Sequence, residues 1–256
     1  MTAPLPPAIP AATLVIVRDR ADGPPELLMV ERAGSMAFAA GALVFPGGRI
    51  DPDDHHLART LPHGMPDLEE VAARIAAIRE TIEEVGLAIG LVPAPSPAVL
   101  ASVRAALHAG VRFSDVLSEA GLTFDLDVLT AFARWRPGDA HRRIFDTRFY
   151  LARLPADAPE PSVDATENVR LHWATARHTL DAADAGHSRI IFPTRRNLER
   201  LAQFTDFAAA IANARAFPVR MVTPWIERRG GVDHLCIPDD LGYPVTSEPL
   251  ADVVRG

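Results

Sequence analysis

The sequence predicts an α/β fold, an α/β/α sandwich in which helices cover both faces of a mixed sheet and an additional helical layer is inserted into the chain. Three observations predict it: paired strand patterns near the N-terminus, a long amphipathic helical pattern over 68–85, and further strand and helix patterns continuing to about residue 215.

In chain order, residues 12–18 (Ala-Thr-Leu-Val-Ile-Val-Arg) and 26–32 read as core strands joined by the Ala-Asp-Gly-Pro-Pro turn at 21–25. Over 68–85, Val71, Ile75, Ile78, Ile82 and Val85 recur at helical spacing and form an apolar stripe suited to packing on a sheet. Pro66 precedes this helix, Asp67 is a candidate N-cap with Glu70 as a capping-box-like partner, and Gly86 suits the C′ position. Residues 91–97 read as a linker. Residues 98–134 alternate helical patterns with breaks at Gly110 and Gly121, giving an inserted helical layer within about 91–140. Strands near 144–153 and 168–173, helices near 176–184 and 194–214, and a hairpin over 220–236 complete the pattern, with a tail at 218–256. The expected organisation is one domain over 1–256.

Composition narrows the function classes. Hydrophobic residues make up 48% of the 256, enough for a sizeable core. The formal net charge is −7, and all 26 basic residues are arginine, without a basic run. Such a chain is a poor candidate for sequence-independent nucleic-acid binding. The lone cysteine, Cys236, excludes an internal disulfide and a paired-cysteine metal site, and reads as a buried strand residue. The proline-rich start lacks the positive region of a signal peptide, no apolar run approaches the length of a membrane span, and the last residues carry no peroxisomal address. The expected compartment is cytoplasmic, with no membrane partner; a homodimer is left open.

The chemistry is concentrated in Arg79-Glu80-Thr81-Ile82-Glu83-Glu84-Val85-Gly86-Leu87, with Phe45-Pro46-Gly47-Gly48 upstream. On a helix, Glu80, Glu83 and Glu84 stand at i, i+3 and i+4 and share one face, which is expected to look outward into a cleft. Three crowded carboxylates repel one another unless a cation neutralises them, and hard oxygen ligands suit Mg²⁺ or Mn²⁺. The sequence thus points to metal-dependent hydrolysis of a diphosphate.

Arg79 to Leu87 resembles, over all nine positions, the R-E-U-x-E-E-x-G-U half of the Nudix box, where U is a bulky aliphatic residue. The usual box sets its first glycine fourteen residues before the arginine, whereas Gly48 precedes Arg79 by 31, so about 17 extra residues interrupt it. The insertion, placed around 51–66, is polar and proline-bounded and is expected to form a surface loop; its His55-His56 pair reads as surface residues. Counted back from Arg79, the early glutamate of the box falls at Val71, with Glu69 and Glu70 as near substitutes. An interrupted box resembles the Nudix branch that contains the peroxisomal coenzyme A diphosphatases, and 144–151 (Ile-Phe-Asp-Thr-Arg-Phe-Tyr-Leu) after Arg143, together with 167–173, resemble that branch's later strands. Leu28, Met29, Arg32, Ala33, Gly41 and Phe45 to Gly48 are in register with the pattern of coenzyme A-cleaving members, except that Ala37 replaces its second arginine.

The resemblance implies Glu80, Glu83 and Glu84 as metal ligands and Arg79 as the group that orients a carboxylate. Gly47 and Gly48 would let backbone approach phosphates, Arg32 and Arg49 would bind them, and Glu84 or Glu167 would be the general base. Phe45, Phe149 and Trp173 are candidates to stack on an adenine, although aromatics on strands more often pack in a core. The expected partner is a small-molecule nucleotide. Three functions follow: hydrolysis of coenzyme A or acyl-coenzyme A to adenosine 3′,5′-bisphosphate and a phosphopantetheine species; hydrolysis of ADP-ribose, NADH or a dinucleoside polyphosphate, which Ala37 favours; or an inactive nucleotide-binding regulatory module, against which the retained glutamates speak.

Overall fold

A computed structural model describes residues 7–34, 39–137, 144–163 and 168–253. Strands β1 (Ile9–Arg18), β2 (Glu26–Arg32), β3 (Leu43–Val44) and β4 (Gly47–Arg49) are followed by helices α1 (Pro52–Thr60) and α2 (Leu68–Val85). Then come β5 (Leu91–Val92), α3 (Pro97–His108), α4 (Phe113–Ala120), β6 (Thr123–Phe124), β7 (Thr130–Trp135), β8 (Phe145–Arg153) and β9 (Asn168–Thr175). Helices α5 (Ala176–Asp184), α6 (Phe192–Leu201) and α7 (Phe207–Ala216) precede β10 (Met221–Val222), β11 (Trp225–Arg229), β12 (Val232–Cys236), β13 (Ser247–Pro249) and α8 (Leu250–Val253).

The main sheet is mixed and runs β10-β7-β8-β1-β2-β3, with β4 pairing β1 and β9 pairing β2. β1 and β8 are parallel, as are β7 and β10, while the other pairs are antiparallel. Central strands buried on both faces read as unbroken apolar runs, and the two-residue period then decides which core each side chain enters. Ala12, Leu14 and Ile16 of β1, Leu28 and Val30 of β2, and Tyr150 and Ala152 of β8 meet the layer of α1, α2, α3 and α4. Val15, Val17, Leu27, Met29, Phe149 and Leu151 alternate with them and meet α5, α6 and α7.

The central helix follows its sequence signals. Asp67 caps it by accepting from the Glu69 and Glu70 amides, Gly86 ends it in the left-handed region at φ 69°, and the five predicted stripe residues are fully buried. Burying each Ile or Val is worth about 1.5–3 kcal/mol. The apolar stripe, packed on the sheet, thus decides the helix's place.

Three expectations are corrected. Residues 52–60 of the insertion form helix α1 rather than a surface loop; Asp51, Pro52 and Asp54 begin it with a capping box, and Asp54, Leu57 and Ala58 are buried. The inserted helical layer ends at Ala120: residues 130–135 form β7 of the main sheet, and a bulge between Ala131 and Ala133 hides the strand alternation. The helix expected over 194–214 is two helices, because Asp206 starts α7 afresh by accepting from the Ala209 amide.

The segment after Pro218 is part of the fold. β10 extends the main sheet, and Ile237, Leu241 and Tyr243 fill its second face. The buried Tyr243 hydroxyl accepts from Trp135 Nε1 at 3.0 Å and donates to Asn197 Oδ1 at 3.1 Å, fastening this segment to β7 and α6. No helix among the described residues is long and apolar enough to cross a membrane.

Tyr243→Phe strands a buried indole N–H, so chemical denaturation is expected to show a loss of about 1–3 kcal/mol in unfolding free energy. A pH effect is expected at Glu199, which pairs with the buried Arg196 at 2.9 Å and whose Oε2 is buried without a partner. Burial, helped by Glu248 and Asp184 and opposed by Arg196 and Arg195, pushes its carboxyl up to about 7. A raised folded-state value means that Glu199 adds stability below its unfolded value near 4.5 and loses it as pH rises through 7. Urea midpoints of Glu199→Gln should therefore fall less than those of the wild type between pH 5 and pH 8.

Candidate active site

The site lies where α2 crosses β4. Gly47 and Gly48 pair with Thr13 and Ala12 of β1; backbone excludes a side chain at Gly47, and one at Gly48 would displace the Glu80 carboxylate. A Cβ on Gly47 would stand 2.4 Å from the Ala12 carbonyl oxygen, and one on Gly48 would stand 2.4 Å from Glu80 Cδ. The glycines therefore bring bare backbone against the acidic helix, and the Gly47 amide donates to Glu84 Oε2 at 2.9 Å.

Arg79 is the centre of the cluster and only 7% exposed. Its Nε and Nη2 donate to Asp54 Oδ1 and Oδ2 at 3.1 and 3.0 Å. Nη1 donates to Glu80 Oε1 at 2.8 Å and Glu83 Oε1 at 2.9 Å, and Nη2 also reaches the Arg49 carbonyl at 2.8 Å. Burial works against this cation, but Glu80, Asp54 and Glu83 outweigh it and raise its pKa. Burial pushes Asp54 above the usual carboxylate range in spite of Arg79. Glu80 is pushed up to about 8 by burial, with the Glu84 and Glu83 charges adding to the effect and Arg79 opposing it. One guanidinium does not neutralise four carboxylates.

The acidic face is less open than expected. Glu84 is buried, and the side chains of Glu80 and Glu83 are only 16% and 26% exposed, because Arg79 lies between them. Among the described residues no group of three His, Cys, Asp or Glu side chains stands in a metal-holding arrangement, since Glu80 and Glu83 turn to Arg79 and Glu84 turns to Gly47. Glu80 and Glu83 each give Arg79 one carboxylate oxygen and keep the other.

Arg49 is exposed at the end of β4, beside the glycines. Arg32 is half-buried at the end of β2, past a bulge that follows Glu31. Glu167, Arg143 and Ala37 lie outside the described residues. Phe45 and Phe149 are core residues of the second face, and the Arg18 guanidinium covers Trp173 at 4.1 Å. His55 lies 3.6 Å from the Glu69 carboxylate, and His56 is exposed.

Sequence reasoning missed Asp54. Counting back from Arg79 places the early acidic position of the motif at Val71, which is buried in the core. Counting forward from Gly48 places it at Asp54, the residue that grips Arg79, so the extra residues fall after this position. The signal was the Asp51-Pro52-Asp53-Asp54 helix start.

A glycine-lined strand is laid against a carboxylate-bearing helix and pinned there by one buried arginine, an arrangement whose class the likeness to known hydrolases gives. No family model matches the chain. A Nudix hydrolase crystal structure from Alicyclobacillus acidocaldarius is 30% identical, with a TM-score of 0.70, over 80% of this chain and 96% of that one. Among curated proteins, acyl-coenzyme A diphosphatase NUDT19 of Gallus gallus is 28% identical and that of Homo sapiens 26%, each over 71% of this chain and 62% of its own length. Putative nudix hydrolase 7 of Caenorhabditis elegans is 27% identical over 71% of this chain and 57% of its own length. The chain thus spans about three fifths of the curated relatives that it matches. It belongs to the Nudix hydrolase superfamily.

Asp54→Asn puts an amide N–H₂ in front of a buried guanidinium and is expected to cost about 3 kcal/mol of stability, measured by urea denaturation. The same change at the exposed Asp127, outside the cluster, should leave stability within about 0.5 kcal/mol of the wild type.

Proposed function

We propose that this protein hydrolyses the diphosphate bridge of coenzyme A or an acyl-coenzyme A, releasing adenosine 3′,5′-bisphosphate and a phosphopantetheine species. The observation that carries this reading is the similarity over 71% of the chain to proteins named as acyl-coenzyme A diphosphatases. The Arg79-centred cluster supplies fitting chemistry.

The donor set suits Mg²⁺ or Mn²⁺. Its oxygens are hard, and burial, with the Glu84 and Glu83 charges adding to it, keeps Glu80 protonated near neutral pH, a proton that a bound cation would displace. Glu80, Glu83 and Glu84 would hold the ion, which when bound activates water and neutralises phosphate charge. Arg79, fixed by Asp54, keeps Glu80 and Glu83 side by side, and a bound ion would draw them and Glu84 together from their present partners, Arg79 and the Gly47 amide. Gly47 and Gly48 hold bare backbone against the acidic helix, beside the proposed diphosphate site, and Arg49 and Arg32 donate to the diphosphate oxygens. Glu84 or Glu167 takes the proton from the attacking water. We take residues 1–256 as one catalytic unit with its box divided over 47–87.

The second reading, hydrolysis of ADP-ribose, NADH or a dinucleoside polyphosphate, uses the same residues and is favoured by Ala37 in place of an arginine of the coenzyme A pattern. The inactive binding module is disfavoured by the retained glutamates.

The test is turnover of coenzyme A, ADP-ribose, NADH and diadenosine polyphosphates with Mg²⁺, Mn²⁺ or EDTA, with products resolved by chromatography. Preferred release of adenosine 3′,5′-bisphosphate, abolished by EDTA, is expected; preference for another substrate replaces the substrate and keeps the chemistry, and no turnover favours the binding module. Glu83→Gln and Glu84→Gln are each expected to lower kcat by at least about 100-fold with far-ultraviolet circular dichroism unchanged. Wild-type-like turnover in both overturns the metal assignment.

A further inference from the structure

An α-helix leaves its last four carbonyls without partners inside the helix. In α2 these belong to Ile82, Glu83, Glu84 and Val85, the turn that carries two of the three proposed metal ligands. Only the Ile82 carbonyl is served by the helix cap, from the Gly86 amide at 3.0 Å. The other three are held from outside. Arg104 of α3 donates from Nε to the Glu83 carbonyl at 3.0 Å and from Nη2 to the Glu84 carbonyl at 3.1 Å. His108, one turn further along α3, places Nε2 3.0 Å from the same Glu83 carbonyl. The Ser162 amide donates to the Val85 carbonyl at 3.0 Å, and Arg104 also binds Ser162 through Oγ at 2.7 Å and the carbonyl at 2.8 Å. Gly86 completes the fit, because a Cβ there would stand 2.9 Å from Arg104 Nη1.

The arrangement does more than complete hydrogen bonds. A helix end left to water frays over its last turn, and fraying here would turn the Glu83 and Glu84 side chains away from Glu80. A planar guanidinium with two donors on successive carbonyls fixes both the axial position and the rotation of that turn, which a single-point donor cannot do. Its positive charge also stands at the negative end of the helix dipole. Arg79 orders the carboxylates from their side-chain ends, and Arg104 orders the backbone from which they project.

We propose that Arg104, assisted by His108, is a positioning residue for metal binding, through which the inserted helix α3 sets the geometry of the Glu80, Glu83 and Glu84 carboxylates without touching them. The inference rests on the proposed role of those glutamates as ligands of a divalent cation.

The test is titration with Mn²⁺ alone, followed by electron paramagnetic resonance in the absence of substrate, together with amide hydrogen exchange and kcat and KM. Arg104→Gln is expected to weaken Mn²⁺ binding about tenfold and to lower kcat with KM unchanged. Exchange should quicken at residues 82–86 while β1 and β8 keep their protection. Arg104→Lys, which keeps the charge and reaches one carbonyl, should recover part of the loss. A folded Arg104→Gln protein with wild-type Mn²⁺ affinity and exchange overturns the proposal. If that variant does not fold, the exposed His108→Ala carries the test: about threefold weaker Mn²⁺ binding, with faster exchange in the same turn, supports the proposal, and wild-type behaviour in both overturns it. A wild-type protein that binds no Mn²⁺ overturns the metal reading and this inference together, whereas wild-type binding with unaffected variants removes the inference alone.

Discussion

The structure depends on a buried guanidinium. A cation withdrawn from water is stable only where fixed anions and carbonyls replace its hydration, and Arg79 finds them in Asp54 of α1, Glu80 and Glu83 of α2, and the Arg49 carbonyl of β4. Apolar packing brings these three elements together, and the arginine locks them at this point. Removing any one partner leaves charge uncompensated in a region of low dielectric, so the arginine acts as a fastener whose strength comes from the cost of leaving it unmade.

The inserted helices build on the same point. Asp53, beside Asp54, accepts from the Ser114 amide and hydroxyl at 2.8 and 2.9 Å, tying α1 to α4. At its other end the same layer reaches the end of α2 through Arg104. Glu70 takes part at the start of α2, bonded to Arg74 at 3.1 Å and 3.4 Å from Arg148 of β8, while Arg74 donates to the Leu126 and Leu129 carbonyls. The acidic helix is thus held along its length by arginines.

Much of the fold was legible in the sequence because its signals are local. The stripe from Val71 to Val85, the Asp67 cap and the Gly86 stop act within one helix, and they define α2 as Leu68–Val85. The runs in β1 and β2 are apolar because both faces of those strands are buried. What was not legible depends on contacts distant in sequence. Asp54 looks like one of several acids in a polar segment until it meets Arg79, 25 residues later. Phe132 and Trp135 sit in a strand whose alternation a bulge interrupts, and Tyr243 is a lone aromatic until Trp135 and Asn197 bind its hydroxyl. The acidic residues of the site were visible as a cluster, but their burial was not, since it follows from Arg79 turning inward between them.

The part of α1 beyond Asp54 and the turn after it occupy the interval that the usual motif leaves short, yet the contact between Asp54 and Arg79 closes as though nothing intervened. Spatial adjacency, rather than count along the chain, is what such a motif preserves. Extra sequence enters it without harm if it departs after one partner and returns before the other. A search that fixes the interval would pass over this chain, while one that anchors each half to its own neighbours, the glycines to Asp54 and Arg79 to its glutamates, would recover it. The same geometry marks the interval as a place where a protein of this kind tolerates new surface, and hence new contacts, while its chemistry stays where it was.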